Sequence, residues 1–246
     1  MKVNAVIFDL DDTLVNTSLT IYPAREIAIK AMIEAGLEVS KFDEALKCLD
    51  RIVYFFGSTS YKLIFEVFAK EYSDKNDTEL YNKIVCKGIK VYEEYYNRLT
   101  TFADSKETLD ILITRGFKIG LISNGDSEIQ NQKLIKCGLN KYFNENNTAI
   151  SSDFGYLWVK PAPYLFEYLA GKMKIDLSSS LYVGNSLIDV VGANIAGLIS
   201  ILFKNEDRPE NYKKLGEKEG QFTLKNEKPS YKVKNISEIL DIIENI

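Results

Sequence analysis

Two aspartates, Asp9 and Asp11, stand two residues apart where the apolar run from Val3 to Phe8 ends. Like charges at that spacing repel, and partial burial sharpens the repulsion. A hard cation relieves the conflict. Mg2+ takes one or two protein carboxylates, keeps several waters and draws its remaining oxygens from a phosphate. With a phosphoryl group held in line, Asp9 can act as a nucleophile. Asp11 can then give a proton to the leaving oxygen and later take one from water.

Three more polar groups follow predicted strands or lie in loops beside them: Ser123-Asn124-Gly125, Lys160-Pro161, and Gly184-Asn185 with Asp189. Lys160 would neutralise the Asp9 carboxylate and the transferring phosphoryl oxygens. Ser123 and the backbone amides after it suit hydrogen bonding to phosphate. Taken singly, each group has a plainer reading. Asp9, Asp11 and Asp12 make a turn and a helix cap, Ser-Asn-Gly is a turn tripeptide, and Asp189 is a helix-start carboxylate favoured by the dipole. The case for chemistry rests on the order and spacing of all four.

Composition narrows what else the chain can do. It has 246 residues, 46% hydrophobic and 27% charged, which describes an ordinary globular protein of one or two domains. No apolar run approaches the ~20 residues of a membrane span, and the N-terminus reads as neither a signal nor a transit peptide. With 31 basic and 35 acidic residues the net charge is −4, with no basic block, so a nucleic-acid or anionic-membrane partner has no electrostatic support. Cys48, Cys86 and Cys137 are odd in number and far apart, against a disulfide framework or a cysteine zinc site and in keeping with a cytoplasmic location. Histidine is absent, which excludes Ser-His-Asp and Cys-His catalysis, the zinc peptidase motifs and any histidine base.

The elements that must position the polar groups fall into three stretches. Val3 to Phe8, nearly all apolar, predicts a strand buried on both faces. Residues from roughly 16 to 98 carry helical stripes and no convincing strand. The stripes are Ile27, Ala28, Ala31 and Ala35 before Gly36; Ala45, Leu46, Leu49 and Val53; Ile64, Phe65 and Phe68; and Leu80, Ile84, Val91 and Tyr95, with Gly88 an interior weakness. A break at Phe56-Gly57-Ser58-Thr59-Ser60 separates the second helix from the third. From about 99 onward strands and helices alternate. Asp104-Ser105-Lys106-Glu107 reads as a capping box. Strands are expected at 117–122, 181–183, 198–203 and 231–233, and helices at 129–135, 164–169, 188–196 and 236–243. The segment 204–230 reads as an exposed excursion. This alternation predicts a doubly wound parallel sheet with right-handed crossovers, whose ligands sit at the carboxyl ends of the strands.

In order and spacing these groups resemble the four motifs of the haloacid dehalogenase-like hydrolase superfamily. Asp9-Leu10-Asp11-Asp12-Thr13-Leu14 is similar to the first, Ser123-Asn124-Gly125 to the second and Lys160-Pro161 to the third. Val183-Gly184-Asn185-Ser186, with Asp189, Gly192 and Ala193, is similar to the fourth. The resemblance spans essentially the whole chain and implies a Rossmann-like α/β core, 1–15 and 99–246, with a mobile α-helical cap, 16–98. It implies a magnesium-dependent phosphatase working through an aspartyl-phosphate. Asp9 would be nucleophile and metal ligand. Asp11 would be acid/base, its backbone carbonyl also reaching Mg2+. Thr13 would orient the loop and stand with Ser123, Asn124 and Lys160 around the phosphate, while Asp189 would help hold the metal.

Two departures stand out. The fourth motif usually begins Gly-Asp, and that Asp is commonly a metal ligand; Asn185 offers a neutral oxygen in its place, so affinity for magnesium should fall. The Asp often found after Lys-Pro is Ala162, at a position read as structural.

The leading function is a cytoplasmic phosphatase, monomer or homodimer, for a small phosphorylated metabolite. Asp11 separates it from the true dehalogenases, whose halide leaving group takes no proton. A phosphomutase would share the same core residues. A non-catalytic binding or scaffold protein is the other class, suggested by Asn185 and opposed by the intact Asp9, Asp11 and Lys160. The cap is expected to select the leaving group. Tyr54, Phe55, Phe56 and Tyr61 either face the site or form bundle core, and Arg51 and Lys62 either meet a second anionic group or are solvated helix charges.

Overall fold

The computed structural model describes residues 3–56, 60–73, 77–204 and 226–246. The Gly57-Ser58-Thr59 break and most of the expected excursion, 205–225, lie outside the described residues, as do the side chains of Tyr54 and Phe56. The chain divides into two compact units, Met1–Ser18 with Thr100–Ile246, and Leu19–Leu99.

The first unit is built on six strands: β1 Ala5–Phe8, β2 Lys118–Ser123, β3 Thr148–Ile150, β4 Ser180–Gly184, β5 Ile199–Phe203 and β6 Tyr231–Val233. They lie in the order β3-β2-β1-β4-β5-β6, and every pairing is parallel. The order reverses at β1, which has β2 on one side and β4 on the other. Phe8 is level with Leu121 and with Val183, so the three strand ends that precede the polar motifs come together. The ladder runs one residue past β1, where the Asp9 N–H donates to the Val183 carbonyl at 2.9 Å. β3 escaped the sequence reading because three residues show no periodicity.

Helices α5 Ser105–Thr114, α6 Ser127–Lys136, α7 Tyr164–Met173, α8 Leu187–Ile195 and α9 Ile239–Glu244 complete this unit among the described residues. The numbers α1 to α4 belong to the second unit. One core cluster joins Ile7, Ile122 and Tyr182 from the central strands to Leu165, Phe166 and Leu169 of α7 and Ala193 of α8. The expected capping box at Asp104 does not form. Asp104 precedes α5 without a side-chain cap bond, and its carboxylate accepts instead from the Ser237 N–H at 2.8 Å. A tertiary donor has won over the local one.

The second unit is helical: α1 Thr17–Glu34, whose first two residues belong to the sheet unit, α2 Phe42–Phe56, α3 Tyr61–Tyr72 and α4 Thr78–Tyr96. Ala28, Ala31, Ala35, Ala45, Leu49, Ile64, Phe65 and Phe68 are buried as the stripes required, while Ile27, Leu46 and Val53 are half-buried. The α4 stripe is rotated from its expectation. Ile84, Val85, Gly88 and Tyr92 are its buried residues, while Val91 and Tyr95 are half-buried. Gly88 is therefore a point of close approach rather than a weakness, since a Cβ there would come within 2.6 Å of the Met32 sulfur.

The α7 face of the core sets a stability expectation. Leu169 is fully buried among β-strand and helix side chains. Leu169→Ala should cost about 2–5 kcal/mol in urea unfolding followed by circular dichroism. A cost below about 0.5 kcal/mol would mean that this face does not bear on the fold.

Candidate active site

The loop after β1 turns back on itself, the Leu10 carbonyl accepting from the N–H groups of Thr13, Leu14 and Val15. Asp12 takes a left-handed conformation, φ 57°, which Asp tolerates better than most residues. Its carboxylate accepts from the Ser18 N–H at 2.6 Å and from the Ser18 hydroxyl, so Asp12 caps α1. The helix-cap reading of the acidic trio is thus right for Asp12. Asp9 and Asp11 have other partners.

Lys160 lies between two acids. Its Nζ donates to Asp9 Oδ1 at 2.6 Å, to Asp189 Oδ1 at 2.7 Å and to the Tyr182 hydroxyl at 3.0 Å. All four side chains are buried. Buried carboxylates keep their charge only with a partner this close. Asn124 fixes the lysine from the backbone side, its Oδ1 accepting from the Lys160 N–H at 2.9 Å while its Nδ2 donates to the Lys160 carbonyl at 3.3 Å. The second motif therefore positions the third. Asp189 is held independently: its Oδ2 accepts from the Ser186 N–H at 3.1 Å and the Ser186 hydroxyl at 2.6 Å, closing a capping box at the start of α8. Gly184 permits this approach, since a Cβ there would overlap the Asp189 side chain.

Electrostatics separates the acids. Burial, together with the nearby Asp189 charge and against the pull of Lys160, pushes the Asp9 carboxyl up to about 7. Asp189 stays below the usual carboxylate range despite its burial, through Lys160 and Ser186. Asp11 is also held low despite burial, chiefly by Lys133. Burial and the two neighbouring carboxylates push the Tyr182 phenol well up, so it remains a neutral hydroxyl.

Asp11 does not share Lys160. Both its oxygens meet Lys133 Nζ, at 2.6 and 2.8 Å, Oδ1 accepts from the Thr17 hydroxyl at 2.5 Å, and Oδ2 accepts from Gln130 Nε2 at 2.8 Å. The same Gln130 nitrogen lies 2.9 Å from Ser123 Oγ, which is buried at the end of β2. Thr13 is fully buried and its hydroxyl donates to Asp9 Oδ2 at 3.3 Å. Lys133, Gln130, Tyr182 and Thr17 were missed in the sequence. On α6 the buried face is Gln130, Lys133 and Leu134, whereas the apolar Ile135 is exposed. Polar residues at i and i+3 on an inward face were the available signal.

A divalent cation fits the donor chemistry. Asp9 Oδ2 accepts only the 3.3 Å bond from Thr13, and the half-buried Asn185 side chain has no hydrogen-bond partner among the described residues. Both Asp189 oxygens, by contrast, are already engaged. Among the described residues no three His, Cys, Asp or Glu side chains cluster tightly enough to hold a metal by themselves. Few protein ligands is the pattern of Mg2+, which keeps waters and uses substrate phosphate.

In the helical unit, Phe55 is 80% exposed, so it is not bundle core. Tyr61 stacks on Tyr92 with ring centroids 5.0 Å apart and donates to Glu93 at 2.7 Å. Lys62 Nζ lies 4.0 Å from the same carboxylate, and Arg51 is exposed without an ion pair among the described residues.

A family model for haloacid dehalogenase-like hydrolases matches residues 3–197. The chain is 30% identical to a glyceraldehyde 3-phosphate phosphatase of Methanocaldococcus jannaschii, over 99% of this chain and 98% of that protein. It is 34% identical to the protein of the same name from Methanothermobacter thermautotrophicus, over 82% and 86% of the two chains. Among solved structures, a HAD phosphatase from Thermococcus onnurineus superposes with a TM-score of 0.66 at 22% identity, covering 99% of this chain and 98% of the other, which speaks to the fold.

The raised Asp9 carboxyl gives a pH expectation for the protein in chelator. The unfolded chain loses the Asp9 proton near pH 4, while the folded chain keeps it to about 7. The folded state binds more protons across that window, so this group's contribution to stability falls as pH rises through it. Denaturation midpoints at about pH 5 and about pH 8 should show wild type losing stability relative to Asp9→Asn. An unchanged difference would mean that Asp9 is ionised throughout.

Proposed function

The chain belongs to the haloacid dehalogenase-like hydrolase family, and from that membership we propose that it is a magnesium-dependent phosphatase whose substrate is a small phosphate monoester of the glyceraldehyde 3-phosphate type. The observation that carries this is the Lys160 ammonium bridging Asp9 and Asp189, with Asp11 two residues beyond the nucleophile. The names of the two archaeal relatives support the substrate class.

In the first step an Asp9 carboxylate oxygen attacks phosphorus, the bond to the ester oxygen breaks, and that oxygen takes a proton from Asp11. Asp11 is ionised at rest, but a bound phosphate dianion brings like charge beside it and favours its protonated form. In the second step water attacks the phosphoryl group, gives its proton to Asp11, and releases inorganic phosphate and free Asp9. Lys160 keeps its charge throughout, steadied by Asp189 and the Tyr182 hydroxyl, and offsets charge on the equatorial oxygens. The Ser123 hydroxyl and the amides after β2 hold the phosphate. Phosphatases of this family generally use Mg2+, which when bound offsets phosphate charge and aligns it with the nucleophile. Asp9, the Asp11 carbonyl and Asn185 would hold it, with Asp189 acting from behind them.

Release of inorganic phosphate should be measured with Mg2+ from glyceraldehyde 3-phosphate, 2-phosphoglycolate, other phosphorylated sugars and nucleotides. Turnover of a small ester is expected, with Asp9→Asn folded and inactive. No release from any of them would favour the binding-protein alternative. Asn185→Asp should lower the Mg2+ concentration for half activity, on the order of tenfold, because a charged ligand replaces a neutral one. An unchanged dependence would place Asn185 away from the metal.

A further inference from the structure

Lys133 has no part in holding phosphate or metal as described above, yet it is one of the most buried charges in the molecule, with its side chain 5% exposed. A buried ammonium is strongly unfavourable unless a counter-charge sits against it. Among the described residues its one ion pair is with Asp11, and it meets both oxygens of that carboxylate, at 2.6 and 2.8 Å. The lysine reaches Asp11 from the middle of α6, 122 residues away in the chain.

The contact belongs to a larger device. Gln130, one turn earlier on the same face of α6, is itself buried, and its Nε2 lies 2.8 Å from Asp11 Oδ2, 2.9 Å from Ser123 Oγ and 2.9 Å from the Asn124 carbonyl. Thr17 closes the other side at Oδ1. Asp11 therefore has Lys133 and Thr17 on one oxygen and Lys133 and Gln130 on the other, so one rotamer is favoured. The helix that fixes it starts directly after the phosphate-binding turn at Ser123.

We propose that Lys133, with Gln130, is the positioning residue for Asp11: it fixes the acid/base carboxylate in register with the Ser123 phosphate site, and so governs proton delivery to the leaving oxygen. The inference rests on the phosphatase reading above. Lys133 touches no reacting atom and acts through Asp11.

Leaving-group chemistry tests it. An alkyl phosphate expels a strongly basic oxygen that must be protonated as it departs, whereas p-nitrophenyl phosphate expels a weakly basic one that departs without help. Lys133→Met should lower kcat/KM, which reports formation of the aspartyl-phosphate, about 100-fold on the fastest alkyl phosphate of the panel above, the scale of general acid catalysis. On p-nitrophenyl phosphate the loss in kcat/KM should be below about fivefold, while kcat, which includes the hydrolysis of the shared intermediate, can fall on both. Equal losses in kcat/KM on the two esters, or no loss on either, would overturn the proposal, since a general loosening of the site does not discriminate between leaving groups.

Should the single variant not fold, Asp11→Asn, in which an amide oxygen still faces the Lys133 ammonium, is compared with Asp11→Asn/Lys133→Met, which removes both charges. The second substitution should then change the residual p-nitrophenyl phosphate rate less than about twofold, since Lys133 has no acid/base left to position. A further tenfold fall would show Lys133 acting elsewhere and would also overturn the proposal. Inactivity of the wild type on both esters would instead mean that the phosphatase reading itself had failed, an outcome distinct from either of these.

Discussion

One buried ammonium organises the site. Lys160 has a carboxylate on either side of it, 2.6 Å from Asp9 and 2.7 Å from Asp189, and the three groups come from separate stretches of chain. Neither acid could stay ionised at that depth without the lysine, and the lysine could not stay buried without an acid. The surrounding structure keeps this contact in place. β1 delivers Asp9, β4 and the first turn of α8 deliver Asp189, and Asn124 at the end of β2 holds the lysine's backbone at both its N–H and its carbonyl. The parallel register, with Phe8 level with both Leu121 and Val183, brings those three strand ends to one edge.

The charge arithmetic of the site follows. With Asp9 ionised, Asp9, Asp189 and Lys160 sum to one negative charge, and the Asp11–Lys133 pair is neutral, so on the proposed reading Asp11 adds nothing to the field met by an incoming phosphate. An aspartate in place of Asn185 would make the centre one unit more negative, which favours a metal and opposes a dianionic substrate. On the proposed metal placement, Asn185 would shift the balance toward easier phosphate entry and weaker metal binding. In the proposed mechanism the two lysines divide the work: Lys160 serves the nucleophile and the transferring group, Lys133 the proton carrier.

Most of this was legible in the sequence where chemistry and periodicity coincide. The apolar strand before Asp9, the strand–helix alternation after Lys118 and the stripes of α1 to α3 carried the fold, and the order of the motifs pointed to Asp9, Lys160 and Asp189, which the structure brings together. What escaped was set by tertiary contacts. The carboxylate of Asp104 left its own helix for Ser237, because a distant amide offered a better bond than the local one. The inward face of α6 was hidden because Ile135 faces solvent while Lys133 faces the core. Tyr182 read as a plain strand residue, and only the packing of its ring on Phe166, 4.9 Å between centroids, aims its hydroxyl at Lys160. A polar residue on an inward face is ambiguous until its partner is known, and here the partners lie 22 and 122 residues away.

The central claim is that Asp9, held against Lys160, carries the phosphoryl group covalently during turnover. The direct measurement is rapid acid quench of the enzyme with substrate and Mg2+, followed by borohydride reduction, which converts an aspartyl-phosphate to homoserine, and sequencing of the peptide that spans β1. Homoserine at position 9, appearing only with substrate, is the predicted result. Phosphate release at full rate with position 9 unmodified, or modification at another acid, would contradict the account.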